Sequence, residues 1–191
     1  MATSGSRRRG FVPCRHLSGS KTFRTNLYPV SADNAAVWPG DPVCMVGGRA
    51  ARYTTAQGVN YLGIIKACYD TNKKPLTFNQ PTRGPYLIAS QGGYVEVYDD
   101  PDITYLVEYN GTAADTTPGQ VAEIELTAGS TAVGQSRVFI AAVTANSGVT
   151  AAAVGKPFRV IGLGPNELDE AGGTGNDLEV VARNHVFKKA T

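Results

Sequence analysis

Short apolar or alternating runs, each cut off within four to nine residues by Gly, Pro, Asn or Asp, recur from Val43 to the end of the chain. Such runs are too short for helices and have the right length for strands. Val43–Val46 follows Pro39-Gly40-Asp41-Pro42 and stops at Gly47-Gly48, and Tyr61–Tyr69 runs into Asp70-Thr71-Asn72. Tyr86–Ala89 and Tyr94–Tyr98 flank Gln91-Gly92-Gly93, and Ile103–Tyr109 ends at Asn110-Gly111, a tight-turn pair. Further strands are expected at Val121–Leu126, Arg137–Val143, Phe158–Leu163, Leu178–Ala182 and Asn184–Phe187. The expected fold is therefore all-β, with small barrels or sandwiches as its lobes. Helix signal is confined to Thr150–Val154, too short to stand alone and followed by Pro157.

Charge is divided along the chain. Residues 1–25 carry six bases and no acid, a net +6, whereas residues 26–191 sum to −4. The basic segment has no helical or alternating apolar pattern, so it reads as an extended arm on a mildly acidic body. The expected organisation is an arm over 1–39, a first β lobe over 40–112 and a second over 113–191, with the linker-like 111–119 between them, the lobes being either separate or two halves of one domain. Arg7, Arg8, Arg9 and Arg15 are the expected contact residues of the arm, which suits an acidic protein surface or nucleic-acid phosphates, the alternative being a solvated, frayed terminus. Trp38, the single tryptophan, either anchors the arm in a partner's pocket or packs on its own lobe. An acidic body without aromatic–basic segments argues against direct nucleic-acid contact. A hydrophobic content of 42% is enough for a core, which excludes outright disorder, and no run approaches the length of a membrane span. The bases near Met1 precede no apolar run, so no export signal is expected.

Catalytic patterns fail one after another. No Gly-x-Ser-x-Gly elbow, His-Glu-x-x-His or Walker loop occurs. Gly162-x-Gly164 leads into Pro165 and acids rather than a phosphate-binding helix. Cys14 and His16 lack a second ligand pair, while Cys44 and Cys68 lie inside apolar runs and read as core residues. His185 reads as a structural histidine. No catalytic residue, metal or cofactor is expected. The densest carboxylate group, Asp99-Asp100-Pro101-Asp102, lacks the ligand spacing of a calcium loop. It reads as a turn whose carboxylates bond backbone N–H groups two residues on. The loop 164–177 has no periodicity and has the length of an interaction element.

Four segments in fixed order carry a resemblance. They are Gly40-Asp41-Pro42-Val43 with Gly63-Ile64-Ile65; Tyr94–Asp102 running into Ile103–Glu108; Gly129–Ser136 leading into Arg137–Ile140; and Phe158–Leu163 with Pro165-Asn166-Glu167-Leu168 and the terminal Val181–His185. Over residues 40–187 the chain resembles the head decoration (cement) proteins of tailed double-stranded DNA bacteriophages. The resemblance implies a small barrel or tulip-like sandwich, made in the host cytoplasm and seated on the outer capsid surface of the virion. It implies a homo-oligomer, a trimer or in some relatives a dimer, that bridges neighbouring major capsid proteins and has no catalytic residues. The alternative class is a carbohydrate- or surface-binding β module of a phage tail or adhesin. The two classes part at Asp99–Asp102: a turn should give no heat on calorimetric titration with millimolar calcium, and a micromolar isotherm would point to the adhesin.

Overall fold

The computed structural model describes residues 9–20, 22–31, 34–54, 60–78, 84–144, 156–164 and 175–188. Every regular element in them is a strand. In chain order these are β1 (Val12–His16), β2 (Thr25–Val30), β3 (Pro42–Val46), β4 (Arg49–Arg52), β5 (Tyr61–Tyr69) and β6 (Gly93–Tyr98), then β7 (Ile103–Glu108), β8 (Val121–Glu125), β9 (Phe139–Thr144), β10 (Phe158–Leu163) and β11 (Asp177–Ala182). The fold is all-β, as the turn punctuation requires.

Five strands close a small barrel in the order β2-β4-β3-β5-β6. The seam is closed by a single parallel residue pair, Val30 with Ala50. β6 shows why the sequence folds this way: its side chains alternate inward and outward, with Val95 and Val97 buried. They fill the barrel with Val30, Val43, Leu62, Ile65, Cys68 and Leu87. The other strands form a six-stranded sheet, β1-β7-β11-β10-β8-β9. Its inner face packs on the outside of the barrel in a second core, where Phe11, Ile103, Tyr105, Ile124, Ile140, Phe158 and Val180 meet Cys44, Tyr53, Tyr61 and Ile64. β5 serves both cores because its alternation slips at Gly63: Tyr61 and Ile64 face the sheet, while Leu62 and Ile65 face the barrel. A Cβ at Gly63 would collide with the Tyr98 carbonyl, so only glycine lets β5 and β6 approach there.

Several expectations are corrected. From Arg9 onward the expected arm is part of the body. β1 pairs with β7 from Val12–Leu106 to His16–Ile103, and β2 pairs with β6 along its whole length. Phe11 is buried, stacked on Phe158 at 4.6 Å and edge-on to Tyr105 at 6.2 Å. β4 (Arg-Ala-Ala-Arg) carries no apolar signal and forms because β3 supplies its ladder. Tyr86–Ala89 and Asn184–Phe187 are not strands; each contributes one isolated bridge, Leu87 to Val37 and His185 to Tyr61. The sheets change over at Asp99–Asp102, not at residue 113. The linker-like 111–119 is packed: Ala113 is in the core and the Gly119 N–H bonds the Val160 carbonyl at 2.9 Å. Tyr105 lies in the core, and its hydroxyl donates to the Tyr98 carbonyl at 3.3 Å. Thr150–Val154 and most of the loop 164–177 lie outside the described residues.

Phe11 separates a structural N-terminal segment from a dispensable arm. Phe11→Ala should cost about 3–5 kcal/mol, as a buried phenylalanine does. Chemical denaturation would read this directly, and an unchanged midpoint would return the segment to the status of an arm.

Candidate functional site

Three bases of the basic segment, Arg9, Arg15 and Arg24, meet counterions within the same chain. Arg7 and Arg8 lie outside the described residues. Arg9 Nη2 donates to Asp177 Oδ2 at 2.9 Å, and Arg15 forks onto Glu179 at 2.6 and 3.1 Å. Burial pushes the Glu179 carboxyl up, but hydrogen bonds from Arg15 and Thr104 and the Arg15 charge hold it below the ordinary range. Arg24 donates to Asp99 Oδ1 at 3.0 Å and to the Asp99 carbonyl at 2.9 Å. Of the six bases of the +6 segment, Arg9, Arg15 and Arg24 are thus paired with acids of the same chain's body.

Trp38 is likewise engaged internally. It is 6% exposed, stacks on Tyr86 at 5.4 Å, has the Arg52 guanidinium 5.6 Å from its ring centre, and lies against Gly129. Its backbone N–H donates to Asp41 Oδ2 at 3.1 Å, which Arg52 Nε faces at 3.4 Å. Asp41 is fully buried, and burial pushes its carboxyl up to about 6 against the opposing pull of Arg52, the Ser136 hydroxyl and the Trp38 N–H. Of the two readings of Trp38, the geometry matches packing on its own chain.

The turn between the two sheets uses all its carboxylates. Asp99, 1% exposed, also accepts from Asn26 Nδ2 at 2.7 Å and from the Tyr28 hydroxyl at 2.5 Å. Asp100 accepts the Asp102 N–H at 3.0 Å, the two-residue bond expected of this turn, and Asp102 pairs with Lys188 at 2.9 Å. The donors to Asp99 come from residues 24, 26 and 28. That period of two was a legible signal of a strand face in the basic segment, and sequence reasoning missed it.

An open groove of about 550 Å³ lies beside this turn, lined by Cys14, Arg15, His16, Leu17, Gly19, Ser20 and Phe23. At its edge Ser18 Oγ is 2.7 Å from His16 Nδ1, and His16 Nε2 is 3.2 Å from Asp100 Oδ2. This hydroxyl–imidazole–carboxylate chain is the order used for nucleophilic catalysis. Its surroundings are those of a clasp. The Ser18 N–H is given to His16 Nδ1, the Gly19 N–H to the His16 carbonyl and the Leu17 N–H to the Asp102 carbonyl. The N–H groups of residues 17, 18 and 19 are therefore already bonded and are not free to receive an oxyanion. Cys14, in the same groove, has its thiol pushed up, first by burial and then by Glu179, which disfavours the nucleophilic thiolate. Among the described residues no group of three His, Cys, Asp or Glu side chains is placed to hold a metal ion.

His185 completes the junction. It is 3% exposed, edge-on to Tyr61 at 5.6 Å, and its Nδ1 accepts the Phe187 N–H at 3.2 Å. Burial first, with the nearby Arg24 charge, lowers it to about 4 against the opposing effects of Leu62, Asp99 and Asp100.

Compared with protein-family models, curated proteins and solved structures, the chain matches none.

Asp41 and His185 oppose each other in one pH window. Asp41 holds its proton more tightly folded than at its ordinary 3.8, so folding gains as pH falls from about 6 to about 4. His185 stays neutral in the folded chain while the unfolded chain protonates near 6.5, so folding loses as pH falls from 6.5 to about 4. Each effect is worth about 3 kcal/mol at most. Relative to the unmodified chain, His185→Gln should therefore gain stability on going from pH 7 to 4, and Asp41→Asn should lose it. Urea midpoints measured across that range test both signs; parallel profiles would remove these two residues from the pH dependence.

Proposed function

We propose that this protein is a virion structural protein: a decoration protein on the outer surface of an expanded phage capsid, where it bridges neighbouring major capsid proteins. The reading rests on the ordered segments of the resemblance, and what supports it is where those segments fall. Gly40-Asp41-Pro42-Val43 enters β3, Gly63-Ile64-Ile65 is the slip in β5, and Tyr94–Glu108 is β6, the inter-sheet turn and β7. Segments distant in sequence converge: the Ser136 N–H bonds the Pro39 carbonyl at 2.9 Å, beside the Phe11 N–H to Gly40 carbonyl bond at 3.0 Å. The single observation carrying the reading is that the first three of these segments meet at one junction between the two sheets.

A seam between capsid subunits under internal pressure favours a clamp that holds two or three of them at once, because the second contact is intramolecular. A trimer at a three-fold axis, or a dimer at a two-fold, multiplies the effect. The segment after β5 and the segment before β9 bring exposed apolar groups that suit such an interface. Phe78 and Val133 are 56% and 57% exposed, and Gly134 packs against Phe78 and Pro85. Arg9 and Arg15 keep exposed faces while paired, and Arg7 and Arg8 precede them in the chain.

The test is occupancy on DNA-free expanded shells of the phage that carries the gene. The full chain should bind to saturation at a fixed number of sites per shell. Removing residues 1–8 spares β1 and the Arg9 pair, and should lower affinity about two- to tenfold at low salt and less at high salt. Unsaturable binding would sink the decoration reading; saturable binding unchanged by the truncation would sink only the part given to Arg7 and Arg8.

A further inference from the structure

Four guanidinium groups, those of Arg9, Arg15, Arg24 and Arg52, each face a carboxylate of the same chain. Two others stand side by side with no carboxylate facing them among the described residues. Arg159 on β10 lies opposite Val181 of β11, and Arg183 is two residues beyond Val181. Alternation places both side chains on one face of the six-stranded sheet, as diagonal neighbours within reach of long side chains. The Arg183 backbone is fixed there by its N–H bond to the Pro157 carbonyl at 2.7 Å. Lys156 adjoins Pro157, and its ammonium gives one bond to the Thr144 hydroxyl at 2.7 Å. Glu123, which follows the Ala122 paired with Phe158, is exposed and makes no ion pair with these cations.

Arg183 bears the cost of this arrangement. Its Nη1 is closed off from water and has no hydrogen-bond partner. Burial, and after it the like charge of Arg159, holds its pKa below the ordinary arginine value. A cation with an unmet buried donor beside a second cation is unfavourable unless an anion bridges them.

We propose that Arg159 and Arg183, with Lys156 beside them, form an oxyanion site that takes a phosphate group as its dianion. Two guanidinium forks offer paired N–H donors matched to two edges of a tetrahedral oxyanion, and the dianion balances both charges. Arg159 is exposed and Arg183 half-buried, so the phosphate docks from solvent and the Arg183 fork turns outward to receive it. The site is independent of the capsid reading.

The experiment is an amide-resolved NMR titration of the full chain at constant ionic strength and pH 7.5, with inorganic phosphate, phenyl phosphate and acetate as probes. Phosphate should give saturable shifts confined to residues near 156–160 and 181–183, and acetate should bind at least about tenfold more weakly. Equal binding of phenyl phosphate supports a site for a phosphate monoester, and its exclusion supports a site for the free ion. Arg159→Gln, an exposed substitution that leaves the fold intact, should weaken phosphate about tenfold, and Arg183→Lys should do so in part. Arg137→Gln, the same loss of charge elsewhere, should change nothing. Shifts that do not saturate, that acetate reproduces, or that survive Arg159→Gln would overturn the proposal.

Discussion

A carboxylate sealed from water, that of Asp41, stands where three parts of the chain meet. Around it the backbone of residues 38–41 is bonded in every direction. Gly40 donates to Ile65 of the barrel and accepts from Phe11 of the N-terminal segment, while Pro39 accepts from Ser136 of the loop before β9. Arg52 faces the carboxylate from β4 and reaches across with Nη2 to the Thr127 carbonyl. Exposed pairs such as Arg15–Glu179 contribute about 0–1 kcal/mol, whereas stripping one partner from a buried pair costs about 3–5 kcal/mol. The buried pair therefore decides how barrel, N-terminal segment and sheet are registered. A well-packed apolar replacement could match its stability but not its demand for one arrangement.

That demand matters because the remaining cohesion is non-directional. The barrel interior is aliphatic and the second core is a mixture of aromatic and aliphatic side chains, and neither alone fixes how a small barrel is rotated against a sheet. Polar contacts supply the missing direction at two ends. Asp41 does so at one, and at the other Asp99 gathers Arg24, Asn26 and Tyr28, with the His16–Ser18 clasp beside it. The open sheet edges are also managed. β1 carries Pro13 and a register shift before Arg15, and β9 is bridged on its far side by Tyr109 at Ile140.

The strands legible in the sequence are those whose burial pattern matches a simple period. β6 alternates cleanly, and β5, buried on both faces over much of its length, is a continuous apolar run. β1 and β4 were not legible because they carry no periodic apolar signal, and β2 offered only the polar period of Arg24, Asn26 and Tyr28. Arg15, Arg24 and Arg9 find their acids 164, 75 and 168 positions away, a separation that local pattern cannot express. Tyr86–Ala89 has strand composition but receives only one bridge, so Tyr86 serves as the platform for Trp38. The Asp99 turn was legible as a turn, since Asp and Pro in that order favour one, but the buried role of Asp99 depends on donors that fold in from the N-terminal segment.

The charge division shows how a true sequence observation can carry two mechanisms. A +6 segment beside a −4 body suits intermolecular attachment, and it suits intramolecular closure equally well. Burial discriminates between them: Asp99 and Asp177 are each 1% exposed, so these acids can be reached only by bases that fold in with them. A base that neutralises a buried carboxylate of its own chain is held there by the cost of leaving that carboxylate alone, and it cannot also clamp a neighbour with the same donors. Any attachment made by the basic segment must then use donors other than those that Arg9 and Arg24 give to Asp177 and Asp99. Among the described residues, Arg159 and Arg183 are two neighbouring cations that no carboxylate faces.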